Sequence, residues 1–426
     1  MASHGKRLLK ADAEGFVRPD YNGHSLVNVA NSVSMLLGGT PTGIPLDESL
    51  YKDAIDVHGI KKVVMIVLDG FGYEMLLDAK NAPFFRKFAK AGVLKPITTG
   101  FPSTTAASIT TINTGLTPQE HGLPEWVIYL NEISMLVNSL PFTSVVGNEQ
   151  LARRGVDPSV LYGGTTIYQK LKRQGIPSIA FMHKSLVNTA YTKIMRKGSV
   201  AQGFANASDG ILELGRKLGS IKGRAYINFY VDNIDSATHF YGPKTDQSRA
   251  AIESLSCLFE KELVNKVSAK VAEETLIILT ADHGHIGVDG QRTLFLNNDR
   301  KLAGMFKKGS DGKPINPSGS ARDVFLNVED KHIDEACDHL SLRLKGIAKV
   351  MKTEDAISSG LFGTGKISGR FRNRVGNILL LPYGNGRVWY EHVKGMKSVH
   401  KGEHGGLSSS EMLIPLAMAR LSDLKQ

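Results

Sequence analysis

The sequence predicts an α/β fold whose mostly parallel central sheet is flanked by helices. Two uninterrupted apolar runs, residues 63–68 and 275–279, have the length and β-branched content of strands buried on both faces. An aspartate follows each run closely, Asp69 after the first and Asp282 after the second. Open α/β sheets bind their ligands at the carboxyl ends of strands, so both aspartates indicate the same candidate site.

The first 286 residues alternate between helix patterns and strand patterns. An amphipathic segment that ends at two glycines, 25–37, predicts the first helix. Further helices are predicted over about 82–91, from Thr104 or Thr105 onward, over about 165–174 and over about 247–273. Apolar runs predict further strands over 93–97, 178–182 and 225–231. Residues 116–165, rich in Pro, Gly, Asn and Glu, predict an irregular excursion beside the site.

The C-terminal part changes character. Residues 287–399 have glycine-rich loops around a strand pattern at 324–328, a helix pattern at 333–344 and a strand pattern at 377–381. We expect a smaller inserted α+β cap there, which leaves 1–286 and 400–426 as the catalytic core. The last segment, 410–421, is predicted to be a helix.

The composition is that of a globular protein with a sizeable core, since 42% of the 426 residues are hydrophobic and 22% are charged. The two cysteines, Cys257 and Cys337, have no spacing typical of a disulfide framework or a metal site. A net charge of +11 favours anionic substrates. The basic residues are scattered and no nucleic-acid-binding motif occurs, so we do not expect nucleic acid as a partner.

The first ten residues are basic but lack an apolar run long enough for a signal peptide, and no stretch reaches transmembrane length. We therefore expect a cytoplasmic protein without a membrane partner. No feature of the sequence predicts an oligomeric state.

Three predicted strand ends carry groups that could bind metals: Asp69, Asp235 with His239, and Asp282 with His283. Asp282 and His283 offer an oxygen and an imidazole nitrogen side by side, a pairing that suits zinc or a similar ion. Asp235 and His239, which follow the strand at 225–231, are four residues apart and share one face of a helix. His404 lies in a glycine-flanked loop. Each pattern taken alone has a plain alternative, a turn or a surface contact, whereas their occurrence together indicates a metal site.

A hydroxyl group accompanies these ligands. Thr104 or Thr105 would lie at the N-terminus of a helix, where backbone N–H groups and the helix dipole favour an anion such as a phosphate.

Together these motifs resemble the alkaline phosphatase superfamily and, within it, the type I phosphodiesterase/nucleotide pyrophosphatase family. Five motifs carry the resemblance, in the family's order and across roughly residues 62–420. They are Leu-Asp-Gly at 68–70, Phe-Pro-Ser-Thr-Thr at 101–105, the segment 235–243, Thr-Ala-Asp-His-Gly at 280–284 and Glu-His-Gly-Gly at 403–406.

The resemblance implies a metal-dependent phosphodiesterase or nucleotide pyrophosphatase with two divalent ions. Zn²⁺ is the first expectation for both ions and Mn²⁺ an alternative. By motif position, one ion would be held by Asp235, His239 and His404, and the other by Asp69, Asp282, His283 and the nucleophile Thr105.

Thr105 is preferred to Thr104 because the family's spacing from Pro102 falls on Thr105. The resemblance further implies a covalent phospho-threonine intermediate and a small anionic phosphate ester, a nucleotide, as substrate.

The chain departs from the family just after the nucleophile, where an aromatic residue, a proline and an asparagine are common. Here Ala, Ala and Ser follow at 106–108, which leaves Asn113 or the backbone N–H of Thr105 to contact the transition state. His121, Trp126 and His285 are placed where they could contact substrate, although packing explains each equally well.

Other interpretations remain. A phosphonoacetate hydrolase-like protein shares the threonine, whereas a phosphoglycerate mutase-like protein would usually have serine at that position. A binding module without turnover is the alternative from another class. It is disfavoured because every expected ligand position is filled.

Overall fold

The computed structural model describes residues 10–395 and 398–426. The N-terminal segment that we examined for a signal peptide therefore lies, apart from Lys10, outside the described residues. So do residues 396 and 397 of the predicted cap.

The helices lie mostly in the first two thirds of the chain. They are α1 Leu26–Leu36, α2 Tyr73–Asp78, α3 Pro83–Ala91, α4 Thr105–Thr114, α5 Pro118–His121, α6 Ile167–Arg173, α7 Ala190–Met195, α8 Ala207–Ser220, α9 Asn233–Tyr241, α10 Asp246–Leu258, α11 Ala269–Glu273, α12 Arg300–Ala303, α13 Ile333–Arg343, α14 Thr353–Ser358, α15 Gly369–Arg374 and α16 Ser409–Met412. None of the helices in the described residues is long and apolar enough to cross a membrane.

The strands are spread over the whole chain. They are β1 Lys62–Leu68, β2 Val93–Thr98, β3 Val127–Leu130, β4 Met135–Asn138, β5 Thr143–Ser144, β6 Ser178–His183, β7 Val200–Phe204, β8 Ala225–Val231, β9 Thr275–Thr280, β10 Ile286–Gly287, β11 Thr293–Phe295, β12 Ser318–Gly319, β13 Val324–Leu326, β14 Ala348–Lys352, β15 Ile378–Pro382, β16 Arg387–Trp389, β17 Gly402–Glu403 and β18 Leu413–Arg420.

Seven strands form the central sheet, in the order β2-β18-β9-β1-β8-β6-β7. The five strands from β9 to β7 run parallel, and β18 is antiparallel to both of its neighbours. Every residue of β1 and β9 is buried, as continuous apolar runs with both sheet faces covered should be. The mostly parallel α/β sheet predicted from the sequence is confirmed.

The predicted helix at 410–421 is wrong. Only the one-turn helix α16 forms there, and the chain then continues as strand β18 between β2 and β9. Two local reasons favour the strand. Pro415 has no N–H to donate within a helix, and the six residues from 414 to 419 are all buried, which suits a strand covered on both faces.

Two other regions differ from expectation. The predicted helix over 247–273 is divided, because α10 passes into a π-helical turn, Phe259–Val264, and α11 is separate. The excursion at 116–165 is more regular than predicted and contains α5 and a three-stranded sheet, β3-β4-β5.

The region predicted as a cap contains an antiparallel sheet in the order β12-β13-β15-β14. Leu340 of α13 and Leu344, the residue that follows this helix, lie in a hydrophobic cluster with Leu326 and Leu380, apart from the main core. The exact division at residues 286 and 400 stays a prediction.

Candidate active site

The candidate site lies where β1, β8 and β9 end. Val67 of β1 pairs with Thr280 of β9, so Asp69 and Asp282 each follow two residues beyond the pair, on adjacent strands. Gly70, which directly follows Asp69, adopts a positive φ of 72°, and a Cβ there would lie 2.7 Å from Nε2 of His285. Glycine is therefore required at position 70, directly after Asp69.

Asp69 and Asp282 each have one oxygen held by the protein and one without a partner. Oδ1 of Asp282 accepts the N–H groups of Gly70 and His283, at 3.0 and 2.9 Å, and Oδ2 of Asp69 accepts the hydroxyl of Tyr230. The other two oxygens, Oδ1 of Asp69 and Oδ2 of Asp282, are buried without a hydrogen-bond partner. Since buried polar atoms are normally paired, these two oxygens fit a bound cation.

His283 completes this group. Both unpaired carboxylate oxygens lie 3.4 Å from its Nε2, and Oγ1 of Thr105 lies 3.0 Å from the same nitrogen. Its Nδ1 lies 3.1 Å from the carbonyl oxygen of Gly284. A proton on Nδ1 leaves the lone pair of Nε2 facing the carboxylates, as a ligating imidazole requires. The structure thus brings Asp69, Thr105, Asp282 and His283 together.

A second group surrounds Asp235. Its Oδ1 lies 3.4 Å from Nε2 of His239 and 2.8 Å from Nε2 of His285. His239 and His404 direct Nδ1 to the carbonyl oxygens of Gly402 and Ser103, at 2.8 and 3.1 Å, which leaves Nε2 of each free. The ring of His404 stacks on that of His283 with 3.6 Å between centroids.

The groups do not coincide fully with the predicted second ligand set. Ligand atoms of Asp235 and His404 lie within 4.8 Å of one another together with those of His283 and His285. His239 approaches Asp235 but forms its own group with His400 and Glu403.

His285 has a role that its sequence position did not reveal. It is 3% exposed, and its Nδ1 is buried without a partner. Donation from Nε2–H to Asp235 is therefore the favourable tautomer, because ligation through Nε2 would leave a buried Nδ1–H unsatisfied. Sequence analysis placed His285 near substrate without this role, and it did not identify Tyr230. Both residues reach the site through contacts with residues far away in the chain.

Burial raises the pKa of Asp69 well above its usual range, and the like charges of the nearby Asp282 and Asp235 raise it further. Burial, and then the charge of Asp69, also raise the pKa of Tyr230 far above 10, so Tyr230 remains a donor. Burial, followed by the neighbouring histidines, holds the pKa of His404 well below its usual value. Neutral imidazole is the form that binds metals, and clustered carboxylates need a cation.

Burial alone would raise the pKa of Asp235. The hydrogen bond from His285 and the nearby charge of His239 outweigh burial, so the net shift is downward. Asp235 therefore remains a carboxylate, the form that binds a cation.

The two candidate threonines differ in their contacts. Thr104 is the N-cap of α4, where its buried hydroxyl accepts the N–H of Ala107 at 3.4 Å. Thr105 is the first residue of α4, half-buried, and its hydroxyl faces His283. The hydroxyl that lies against the ligand group is thus that of Thr105.

Two proposed substrate contacts are not supported. Asn113 lies eight residues beyond Thr105 in α4, about 12 Å along the axis, and its Oδ1 accepts the hydroxyl of Tyr168. His121 is buried, accepts the N–H of Leu123 at 3.0 Å, and has a pKa lowered to about 3 by burial, which is a packing role. The third candidate, Trp126, is 42% exposed, and its contact with substrate stays a prediction.

The parallel sheet, with carboxylate and imidazole groups at its strand ends, defines an alkaline-phosphatase-like fold. The family model of type I phosphodiesterase/nucleotide pyrophosphatase matches residues 63–407, and the chain belongs to this family. It is therefore a phosphoric diester or pyrophosphate hydrolase of a metal-dependent class. Among curated proteins, none matches the chain.

Solved structures of similar fold include murine ectonucleotide pyrophosphatase/phosphodiesterase 5, at 18% identity and a TM-score of 0.61, covering 83% of this chain and 87% of that one. The human protein gives 18% identity and a TM-score of 0.63 over 83% and 87%. An inactive variant of the murine protein, in complex with AMP, gives 18% identity and 0.61 over 84% and 87%.

Proposed function

We propose that this protein hydrolyses phosphodiester or pyrophosphate bonds of nucleotides through a covalent phospho-threonine formed on Thr105. One observation carries the proposal. The hydroxyl of Thr105 lies 3.0 Å from Nε2 of His283, at the point where the unpaired oxygens of Asp69 and Asp282 converge. A nucleophile beside a buried set of metal-ligating atoms is the arrangement that two-metal phosphate hydrolysis requires.

We assign two ion sites to the chain's own residues. Asp69, Thr105, Asp282 and His283 would hold one ion, and Asp235, His239 and His404 the other. The mixture of carboxylate and imidazole donors suits Zn²⁺, with Mn²⁺ an alternative. When bound, such ions supply Lewis acidity to a hydroxyl and to a leaving oxygen.

The protein's own groups would orient this chemistry. Tyr230 holds one oxygen of Asp69, and Gly284 fixes the tautomer of His283. Thr105 is the first residue of α4, and the backbone N–H groups at a helix start would favour the charge of a phosphoryl group on its hydroxyl. With Asn113 distant, the N–H of Thr105 is our candidate for the transition-state contact.

A nucleotide substrate is supported by the family itself and by the AMP complex of one structural relative. The net charge of +11 favours the approach of any phosphate ester. The family match also favours diester hydrolysis over the phosphonoacetate hydrolase-like and mutase-like alternatives.

The test compares hydrolysis of bis-p-nitrophenyl phosphate and p-nitrophenyl phosphate by metal-stripped protein and by protein reconstituted with zinc or manganese. We expect metal to restore diesterase activity and Thr105→Ala to lower kcat by at least about a thousandfold. Thr104→Ala is the matched control, since it loses a helix cap worth about 1 kcal/mol and keeps the reacting hydroxyl.

Activity that survives Thr105→Ala would sink the threonine mechanism. If two ions bind and neither ester is cleaved, the reaction assignment is wrong and phosphonates are the next substrates to assay.

A further inference from the structure

A third group of metal-ligating atoms lies beside the proposed ion sites. Atoms of His239, His400 and Glu403 lie within 4.8 Å of one another. We propose that these three residues form an outer divalent-ion site. It shares His239 with the inner cluster, the ion site proposed above for Asp235, His239 and His404, and competes with that cluster for the imidazole.

The competition follows from the single free nitrogen of His239. Its Nδ1 is committed to the carbonyl oxygen of Gly402 at 2.8 Å, so only Nε2 can bind an ion. That nitrogen lies 3.4 Å from Oδ1 of Asp235, and the ring centroid of His400 lies 4.4 Å from that of His239. One imidazole nitrogen ligates one ion, so His239 serves either the inner or the outer position.

The outer group is anchored on one side and open on the other. Glu403 is 6% exposed and lies on β17, which pairs with β10. Its Oε1 accepts the hydroxyl of Ser398 at 2.9 Å and lies 3.4 Å from Nδ1 of His400. The side chain of His400 is 46% exposed. An ion arriving from solvent would therefore meet His400 before it meets the buried ligands.

The types of ligand atom and their number indicate which kind of ion the outer site would bind. Two imidazoles and one carboxylate suit Zn²⁺ and related transition metals better than Ca²⁺ or Mg²⁺. Three protein ligands leave a position for water or for a phosphate oxygen, so the outer ion is bound more weakly and more reversibly than a fully enclosed one.

The inner cluster is built to tolerate a temporary loss of His239. Asp235 keeps its 2.8 Å hydrogen bond from His285 whichever position His239 serves. An ion in the outer site would nevertheless remove a ligand from the inner ion, so excess metal should inhibit. This functional consequence rests on the proposed hydrolysis, whereas the outer site itself does not.

The binding test is equilibrium dialysis of metal-stripped protein against increasing Zn²⁺ or Co²⁺, with the bound metal counted. We expect the wild type to bind a third ion after the first two, and both His400→Asn and Glu403→Gln to lose that third ion. The matched control is His332→Asn. Its imidazole makes the same i,i+3 contact to a glutamate, Glu335, at 3.2 Å but belongs to no ligand group found in the described residues.

The outer site is overturned if both variants bind as many ions as the wild type, whatever that number is. Circular dichroism checks that the variants are folded, and the two variants alter one exposed and one buried residue, so misfolding of one leaves the other informative.

The kinetic test uses bis-p-nitrophenyl phosphate with rising zinc. We expect excess zinc to inhibit the wild type and His332→Asn, and the inhibitory concentration to rise at least about tenfold in His400→Asn. Inhibition unchanged in His400→Asn contradicts the competition for His239. A third ion bound without any hydrolysis would support the outer site and overturn only the proposed function.

Discussion

Two buried carboxylate oxygens without hydrogen-bond partners are the strongest sign of a cation site in this protein. Asp69 and Asp282 each use one oxygen for the protein's own donors and leave the other buried and unpaired. With Asp235 nearby, this geometry is electrostatically unfavourable until a cation enters. The residues that we propose as ion ligands are therefore expected to destabilise the metal-free protein.

Asp69→Asn tests this at the residue scale. In metal-stripped protein we expect the variant to be more stable than the wild type by about 1–3 kcal/mol, because one of two adjacent buried carboxyl groups, which also lie near Asp235, is gone. Zinc at about 100 times its dissociation constant should stabilise the wild type by about 2.7 kcal/mol and the variant far less. Urea unfolding with and without zinc measures both effects.

The exposed Asp53→Asn is the control, and neither effect is expected there. A metal-stripped Asp69→Asn that is less stable than wild type would contradict the repulsion argument.

At the scale of elements, strand ends fix one part of the site and a short helix fixes another. Asp69 and Asp282 follow adjacent strands, while His404 depends on the loop before α16. Glu411 of α16 holds that loop by accepting the N–H of Gly406 at 3.0 Å. It also receives two hydrogen bonds from Arg322, at 2.9 and 2.8 Å, and both side chains are fully buried.

Glu411→Gln should therefore affect stability and the site together. Burial disfavours the charge of Glu411, but Arg322 more than offsets burial and lowers its pKa. Breaking this pair leaves a buried guanidinium without its partner, so we expect a loss of about 3–5 kcal/mol by urea unfolding and weaker zinc binding through His404.

Glu354→Gln is the matched control, because Glu354 pairs with Arg372 at 2.8 Å on the surface. Its loss should cost no more than about 1 kcal/mol. Equal costs for the two substitutions would show that burial of the Arg322 pair has no energetic consequence.

At the scale of the whole molecule, a buried acid pair joins the excursion at 116–165 to the region of β13. Glu125 and Asp323 are both buried. Burial raises the pKa of Glu125 to about 7, although the hydrogen bond with Asp323 acts in the opposite direction. Burial, followed by the charge of Glu125, raises the pKa of Asp323 well above its usual value. The contact between these two parts of the chain is thus most favourable when the carboxyl groups of Glu125 and Asp323 are protonated.

The pH dependence has a definite sign. Between about pH 4.5 and about pH 7 the folded protein holds more protons at Glu125 than the unfolded chain does, so this group lowers the free energy of unfolding as pH rises. Glu125→Gln should remove that contribution, so its gain in stability over wild type grows between about pH 5 and about pH 8. Urea unfolding at both pH values measures the difference.

Glu132→Gln, an exposed position in the same excursion, serves as the control. A Glu125→Gln effect that does not change with pH would mean that the acid pair does not titrate in this range.

Much of the central sheet and most of the candidate ligands could be predicted from the sequence because their signals are local. The apolar runs of β1 and β9 end in Asp69 and Asp282 within a few residues, and any fold that places these strands side by side brings the aspartates together. The same local signals failed for β18. An apolar segment is compatible with helix or strand, and its position between β2 and β9 decided the outcome.

What the sequence determined by itself is the α/β sheet, the family and the order of residues able to bind metals. Only the tertiary structure decided how those residues are held. Tyr230 reaches Asp69 across 161 positions, His404 reaches Ser103 across 301, and His285 reaches Asp235 across 50. Hydrogen bonds of this kind leave no periodicity or spacing in the chain, because each depends on where two distant strand ends or loops meet.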